Sequence, residues 1–436
     1  MRVCFDEKSG SKLPSRPAPT AEHDSTPTDG DLIGVKADIL IPGRGEPIEN
    51  GALIIDGPKI AWVGQQSAIP GQYANVGFKH VPVLMPGLWD SHTHFQGIDP
   101  EEGDSLLPVF GSVAMAGACA AKELETVLMA GFTTVRELGG LAGDISPAIE
   151  NGTLVGPNIF SSIGLLGITG GHSDVHDIPI EAVLDLKRRG APNQVCDGVT
   201  DCIKTVRMMV RRGAKVIKVC ATGGVGSLLD DPEDAQFSPE ELKAIVDEAA
   251  RTKRVVAAHC HGKEGIMNAL NAGVKTIEHG SYLDDEAIAL MKEKNAILIS
   301  TRAVIVGGIK NPQTLPPSSY KKLLKISEQH RKAYELAIKS GVKVVLGTDW
   351  LSGENGKELA YAVDAGMSPL QAIEASTALS PETLGSHFAP LSGQLKEGYD
   401  ADIIAVASNP LKNIKILGEP KNVTHVWKGG KLYKKP

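Results

Sequence analysis

From about residue 83 to 380 the chain alternates short apolar runs with longer amphipathic stretches. Eight of the runs have the length and β-branched content of buried strands: VLMPGLWDSHTH, FTTVREL, NIFSSIG, AKVIKVCAT, RVVAAHCHG, VKTIEHG, AILISTRAV and VKVVLGTD. The stretches between them carry helix signals. Ser238-Pro239-Glu240-Glu241 is a capping box with proline at the first helical position, ahead of LKAIVDEAARTKR. DDEAIALMKEKN and SEQHRKAYELAIKSG space their apolar residues as a helix does, and the second stops at Gly341. Strands alternating in this way with helices predict an α/β protein built on a (β/α)8 TIM-like barrel over residues 83–385.

The flanks read differently. Residues 31–82 and 386–436 hold short strands broken by Gly and Pro, as in ADILIPGRGEPIENGALIIDGPKIAWVG and KNVTHVWKGGKLYKK. They are expected to pair as the two parts of a small composite β-sandwich. Residues 1–30, rich in Pro, Ser and Thr, are expected to be a disordered tail. A net charge of -7 over 436 residues argues against nucleic acid or an anionic membrane as partner. No apolar run is long enough to span a bilayer. The first residues lack the apolar centre of a secretory signal, so a cytoplasmic location is expected. The six cysteines form no CxxC pair, which fits a reducing compartment.

Metal-binding residue types recur at the ends of the strands: His92 and His94, Lys218, His259, His279 and Asp349. Period two puts His92 and His94 on one strand face, and likewise Val216, Lys218 and Cys220, and Ala257, His259 and His261. If those faces line the lumen, the side chains meet at the barrel's C-terminal mouth. Lys218 sits between Ile217 and Val219. Burying an ammonium is costly, so burial favours the neutral amine. A neutral amine can take up carbon dioxide as a carbamate, an anion able to bridge two cations. The plain alternative is a buried salt bridge to Asp349 or Glu137, and the surrounding ligand types favour the carbamate. Imidazole and carboxylate suit zinc and similar divalent ions. On this reading His92, His94 and Asp349 hold one ion, His259 and His279 hold the second, and the carbamate on Lys218 bridges them. Asp349 is then placed to act as general base and acid.

The chain resembles the amidohydrolase superfamily of metal-dependent hydrolases, and within it the ochratoxinase and Xaa-Pro dipeptidase-like branch. The resemblance runs from about residue 31 to the end. It is carried by MPGLWDSHTHF, GFTTVRELGG, GAKVIKVCATGGV, AQFSPEELKAIVDEAA, AAHCHGKEGI, IEHGSYLDDE, LGTD and GQLKEGYDADIIAV. It implies two divalent metals, a carboxylated Lys218, His259 as the ligand of AHCHG, and a homo-oligomer. It also implies hydrolysis of a peptide-like amide that releases an amino acid, from an N-acyl phenylalanine of the ochratoxin A type or a small dipeptide. A mononuclear deaminase or cyclic-amide hydrolase, or a non-catalytic scaffold on the same fold, is the competing expectation; Lys218 counts against the deaminase and the full ligand set against the scaffold. Relatives place a Gly- or Pro-rich loop after the GTD aspartate, where this chain has Trp350-Leu351-Ser352.

Four further residues are candidates for substrate contact. His261 shares the face of His259 and can touch substrate or only buttress it. His172, in the Gly-rich ITGGHSD, can contact substrate or lie on the surface. Tyr282 can donate to a developing oxyanion. Arg302, expected at the end of the seventh strand, can pair with a substrate carboxylate or with an interior acid. Arg136 and Glu137 are expected to buttress the barrel.

Overall fold

A computed structural model of the chain describes residues 32–97, 112–349 and 353–436. The expected tail at 1–30 and the Trp350-Leu351-Ser352 departure lie outside the described residues.

Four strands open the chain: β1 (Ile33–Leu40), β2 (Ile48–Asp56), β3 (Lys59–Gln65) and β4 (Phe78–Pro86). Ten further strands follow in the middle: β5 (Leu88–Thr93), β6 (Phe132–Glu137), β7 (Asn158–Ser161), β8 (Leu165–Gly167), β9 (Asn193–Val195), β10 (Ile217–Cys220), β11 (Val256–Cys260), β12 (Thr276–His279), β13 (Ile297–Ile299) and β14 (Lys343–Val344). Three close it: β15 (Ile403–Val406), β16 (Val423–Lys428) and β17 (Lys431–Lys434). The two flanks build one composite sheet in the order β17-β16-β15-β4-β1-β2-β3. It has its own apolar core, including Val35, Leu53, Ile55, Leu84, Ile403 and Trp427.

The parallel strands β5 to β7 and β10 to β14 form the barrel. Two backbone contacts close it. Ser91 N–H donates to Leu346 O at 3.0 Å, joining β5 to the end of the last strand, and Lys215 N–H donates to Ser161 O at 2.8 Å, joining β7 to β10. VLMPGLWDSHTH, read as one strand, divides at Gly87: Val83–Pro86 pairs in the flank sheet and Leu88 starts the barrel. A Cβ at Gly87 would lie 2.1 Å from Thr133 Oγ1, so the crossing between the two sheets needs glycine.

The capping box at Ser238 and Glu241 starts a helix over Pro239–Arg251, as its sequence requires. Two strands went unread in the sequence: β8 and β9 form a ribbon laid against β10. They are three residues each, too short to show a period of their own. AILISTRAV is corrected too. The strand ends at Ile299, Thr301 takes a left-handed turn at φ 54°, and a helix begins at Arg302. The cause is Glu358, whose carboxylate accepts the N–H groups of Arg302 (3.0 Å) and Ala303 (2.6 Å) and so caps that helix.

Inside the barrel the lower end is plugged by Trp89, Leu138, Val216, Ala257 and Leu384. Among the described residues no helix is long and apolar enough to cross a membrane.

Candidate metal centre

Above the apolar plug the lumen turns polar, and its register follows from the strand ladders. Lys218 pairs with Ala257, His259 with Cys220 and with Glu278, so Lys218, His259 and Glu278 share one face. His279 follows Glu278 and would point the other way in a regular strand. Its φ of 72° ends the strand and swings it inward. Asp349, at φ 74°, is brought in by the same device, its N–H donating to His92 O at 2.7 Å. Non-glycine residues held in this region are strained and need surrounding structure to keep them there. Asp90 supplies part of it: its buried carboxylate accepts the N–H of His92, the N–H and hydroxyl of Thr348, and Asn355 Nδ2.

The imidazoles are held from behind. His94 Nδ1 donates to Gly139 O at 2.7 Å, and His92 Nδ1 donates to Glu278 Oε2 at 2.8 Å. With the ring proton on Nδ1, a neutral ring presents Nε2 as an acceptor. The two Nε2 atoms lie 3.3 Å apart, and Asp349 Oδ1 is 3.2 Å from one and 3.3 Å from the other. Three such groups facing one another suit a cation. His259 Nε2 donates to Gly223 O at 3.1 Å, His279 Nδ1 meets Thr301 Oγ1 at 2.7 Å, and His261 Nδ1 meets Ser281 Oγ at 2.7 Å. Ligand atoms of His259, His261 and His279 lie within 4.8 Å of one another, as do those of His92, His279 and Asp349. Holding one ring nitrogen to free the other is how histidine ligands are oriented.

Electrostatics agree with this arrangement. Burial holds the pKa values of His259 and His279 well below that of free histidine, lowers His261 to about 3 and lowers His172 to about 4. These rings are neutral at pH 7 and free to act as ligands. Burial lowers the Lys218 pKa. Its Nζ is 3.4 Å from His92 Nε2, and no described carboxylate pairs with it, so the salt bridge to Asp349 or Glu137 does not form.

Two expected contacts go elsewhere. Arg302 Nη1 donates to Ser327 O at 2.9 Å and lies 3.5 Å from His330 Nδ1, toward the outer helix Pro317–Lys339. Tyr282 OH donates to Glu233 Oε1 at 3.2 Å. His172 does join the cluster, its ring stacked on His259 with centroids 4.2 Å apart. Glu137 caps the helix Ala142–Glu150 through the N–H groups of Ala142 and Gly143.

The sequence reading missed Glu278. It is fully buried, accepts Arg136 Nη2 at 2.8 and 2.9 Å on its two oxygens, and orients His92. Burial would raise its pKa, but Arg136 and His92 bring it down to about 2. Glu278, a charge after Ile277 in a buried strand, carries the same sequence signal as Lys218.

The sequence model of the amidohydrolase family matches residues 83–433, which include every one of these positions. This chain belongs to the amidohydrolase family. Ochratoxinase of Aspergillus niger is 48% identical over 416 residues, covering 92% of this chain and 86% of that protein. The crystal structure of A. niger ochratoxinase superposes with a TM-score of 0.89 at 46% identity, covering 93% of this chain and 96% of the other. A Xaa-Pro dipeptidase crystallised with methionine in its active site superposes with a TM-score of 0.81 at 30% identity, covering 92% of this chain and 100% of the other. The amidohydrolase described here is accordingly a hydrolase acting on carbon–nitrogen amide bonds, and its His and Asp groups are of the kind that can bind metal.

Proposed function

We propose that this amidohydrolase is a binuclear enzyme that cleaves a peptide-like amide and releases an amino acid, from an N-acyl phenylalanine of the ochratoxin A type or a small dipeptide. The observation that carries the reading is the convergence of His92 Nε2, His94 Nε2 and the Asp349 carboxylate. His92, His94 and Asp349 are assigned to one ion, and His259 and His279 to the other. Lys218 is assigned the bridge, as a carbamate formed when its neutral amine adds to carbon dioxide and loses a proton. Two divalent cations, zinc by the donor set, would polarise the amide carbonyl and make water acidic enough to attack near neutral pH.

The chain's own groups do the rest. Glu278, balanced by Arg136, keeps His92 protonated on Nδ1 so that Nε2 faces the site. Asp349 takes a proton from the attacking water as the C–O bond forms. It then gives that proton to the departing nitrogen as the C–N bond breaks, so the amino acid leaves as an amine. His261, fixed by Ser281, stands at the mouth beside His279, ring centroids 4.8 Å apart, where it can meet substrate.

Metal analysis of protein purified without chelator, together with hydrolysis of ochratoxin A, N-acyl phenylalanines and Xaa-Pro dipeptides, tests the proposal. About two ions per chain and release of free amino acid are expected. One ion with release of ammonia would point to a deaminase, and no ion with no turnover to a scaffold. Chelation should abolish turnover and leave far-UV circular dichroism intact, because the barrel has a large apolar core besides the site.

A further inference from the structure

The loop 223–231, between β10 and the helix Pro239–Arg251, carries a polar chain that no step above uses. It begins at His172, which lies on His259. His172 Nδ1 is 2.8 Å from Ser227 Oγ. The Ser227 hydroxyl is also hydrogen-bonded to Asp230 Oδ1, in the tighter of its two donor contacts. A hydroxyl has a single proton. With that proton given to the carboxylate, Ser227 Oγ can only accept from His172. The imidazole proton therefore sits on Nδ1, and Nε2 keeps its lone pair with no partner among the described residues.

Asp230 anchors the chain. Its side chain is 4% exposed. Its Oδ2 accepts Gly224 N–H at 3.1 Å and Gln236 Nε2 at 3.3 Å, while Gln236 Oε1 accepts the N–H of His172 at 3.0 Å. Lys322 reaches in from the outer helix Pro317–Lys339 and spends all three donors on this loop: Asp230 Oδ1 at 3.2 Å, Ser227 O at 2.8 Å and Gly224 O at 3.2 Å. The loop backbone also presses on the ring, since a Cβ at Gly224 would lie 2.1 Å from His172 Cε1.

We infer that Asp230 and Lys322 are positioning residues that act through Ser227 to hold His172 against the proposed metal site, with Nε2 ready to accept a hydrogen bond from an N–H or O–H of bound substrate. The inference rests on the functional reading of the same site. A ring held in this way offers an acceptor, so His172 does not read a substrate carboxylate.

The test uses the metal-loaded full chain. Lys322→Met removes the three donors from outside the barrel, and Ser227→Ala removes the acceptor. Each is made alone and in combination with His172→Ala. For Lys322→Met alone, kcat/KM on an N-acyl amino acid is expected to fall about tenfold. With His172 already replaced, the further loss should be under about twofold, because the effect runs through that ring. An equal loss in both backgrounds overturns the inference, since a purely structural staple acts with or without the imidazole. A second readout does not need turnover: acylation of His172 by diethyl pyrocarbonate in metal-free protein, located by mass spectrometry. It should be several-fold faster in Lys322→Met and in Ser227→Ala, and unchanged rates in both overturn the inference. If the parent binds no metal and hydrolyses no amide, the functional reading fails, and the acylation rates still decide whether His172 is held by this chain.

Discussion

Replacing Lys218 by methionine separates what the lysine does for function from what it does for stability. In its unmodified form the side chain is buried, with His92 Nε2 at 3.4 Å as its one hydrogen-bonding neighbour among the described residues. The nearby acid Glu278 is committed elsewhere, to Arg136 and His92. The amine gives up its hydration and gains little. Replacing even paired buried charges with apolar side chains of similar volume is often neutral or stabilises by about 1–4 kcal/mol. Unfolding entropy near 2.1 cal/mol/K per residue, over 436 residues, amounts to about 0.9 kcal/mol/K. Metal-free Lys218→Met should therefore melt about 1–4 °C above metal-free parent in calorimetry, in buffer purged of carbon dioxide. The difference should also depend on pH. Burial puts the folded pKa of the lysine below its unfolded value, so the unfolded chain binds more protons. Parental stability then rises with pH through a window ending near about 10.4, and the methionine variant lacks that rise. Supplying zinc and bicarbonate should reverse the order, because ligands at about a hundredfold excess over Kd add about 2.7 kcal/mol to the form that binds them. A methionine variant less stable than the parent without metal would show that the lysine makes favourable contacts in the free protein, and the reasoning would fail.

Asp349→Asn should still bind metal yet lose about two to four orders of magnitude in turnover, since an amide cannot shuttle the proton; single-turnover kinetics beside metal analysis checks both halves. Glu278→Leu should cost about 3–5 kcal/mol in denaturant unfolding by leaving the buried Arg136 unpaired, and a loss below about 1 kcal/mol would remove the pair from its assigned role. The metal-free protein should lose stability in acid. His172 and His261, at about 4 and about 3 when folded, are protonated first in the unfolded chain, whose histidines titrate near 6.5. Stability present above pH 6.5 is therefore lost progressively as pH falls toward 3, and a denaturation midpoint that stays flat over that window would contradict the burial of these rings.

Much of the architecture can be read along the chain because it rests on local rules. Strand period and length, the Ser238–Glu241 capping box and the alternation with helices all act over a few residues, and they point to a barrel. His92, His94, Lys218, His259, His279 and Asp349 are legible because each lies at or near the end of an apolar run, and strand period aims the first four at a common mouth. His279 and Asp349 reach that mouth only because each holds a left-handed backbone angle, a strain that local sequence does not reveal.

What surrounds those residues was settled only in three dimensions. Glu278 and Arg136 are 142 positions apart, and Lys322 and Asp230 are 92 apart. No pattern along the chain pairs them, because the closed barrel and the packing of the outer helix bring them together. Arg302 shows the same limit from the other side. Its sequence continues a strand, but the carboxylate of Glu358, 55 residues past Ala303, caps a helix there and carries the guanidinium toward Ser327. By itself the sequence determined which residue types line the mouth. The tertiary structure decided which nitrogen of each histidine is free, because a ring's tautomer is set by the partner behind it, and that partner comes from a distant strand, loop or helix.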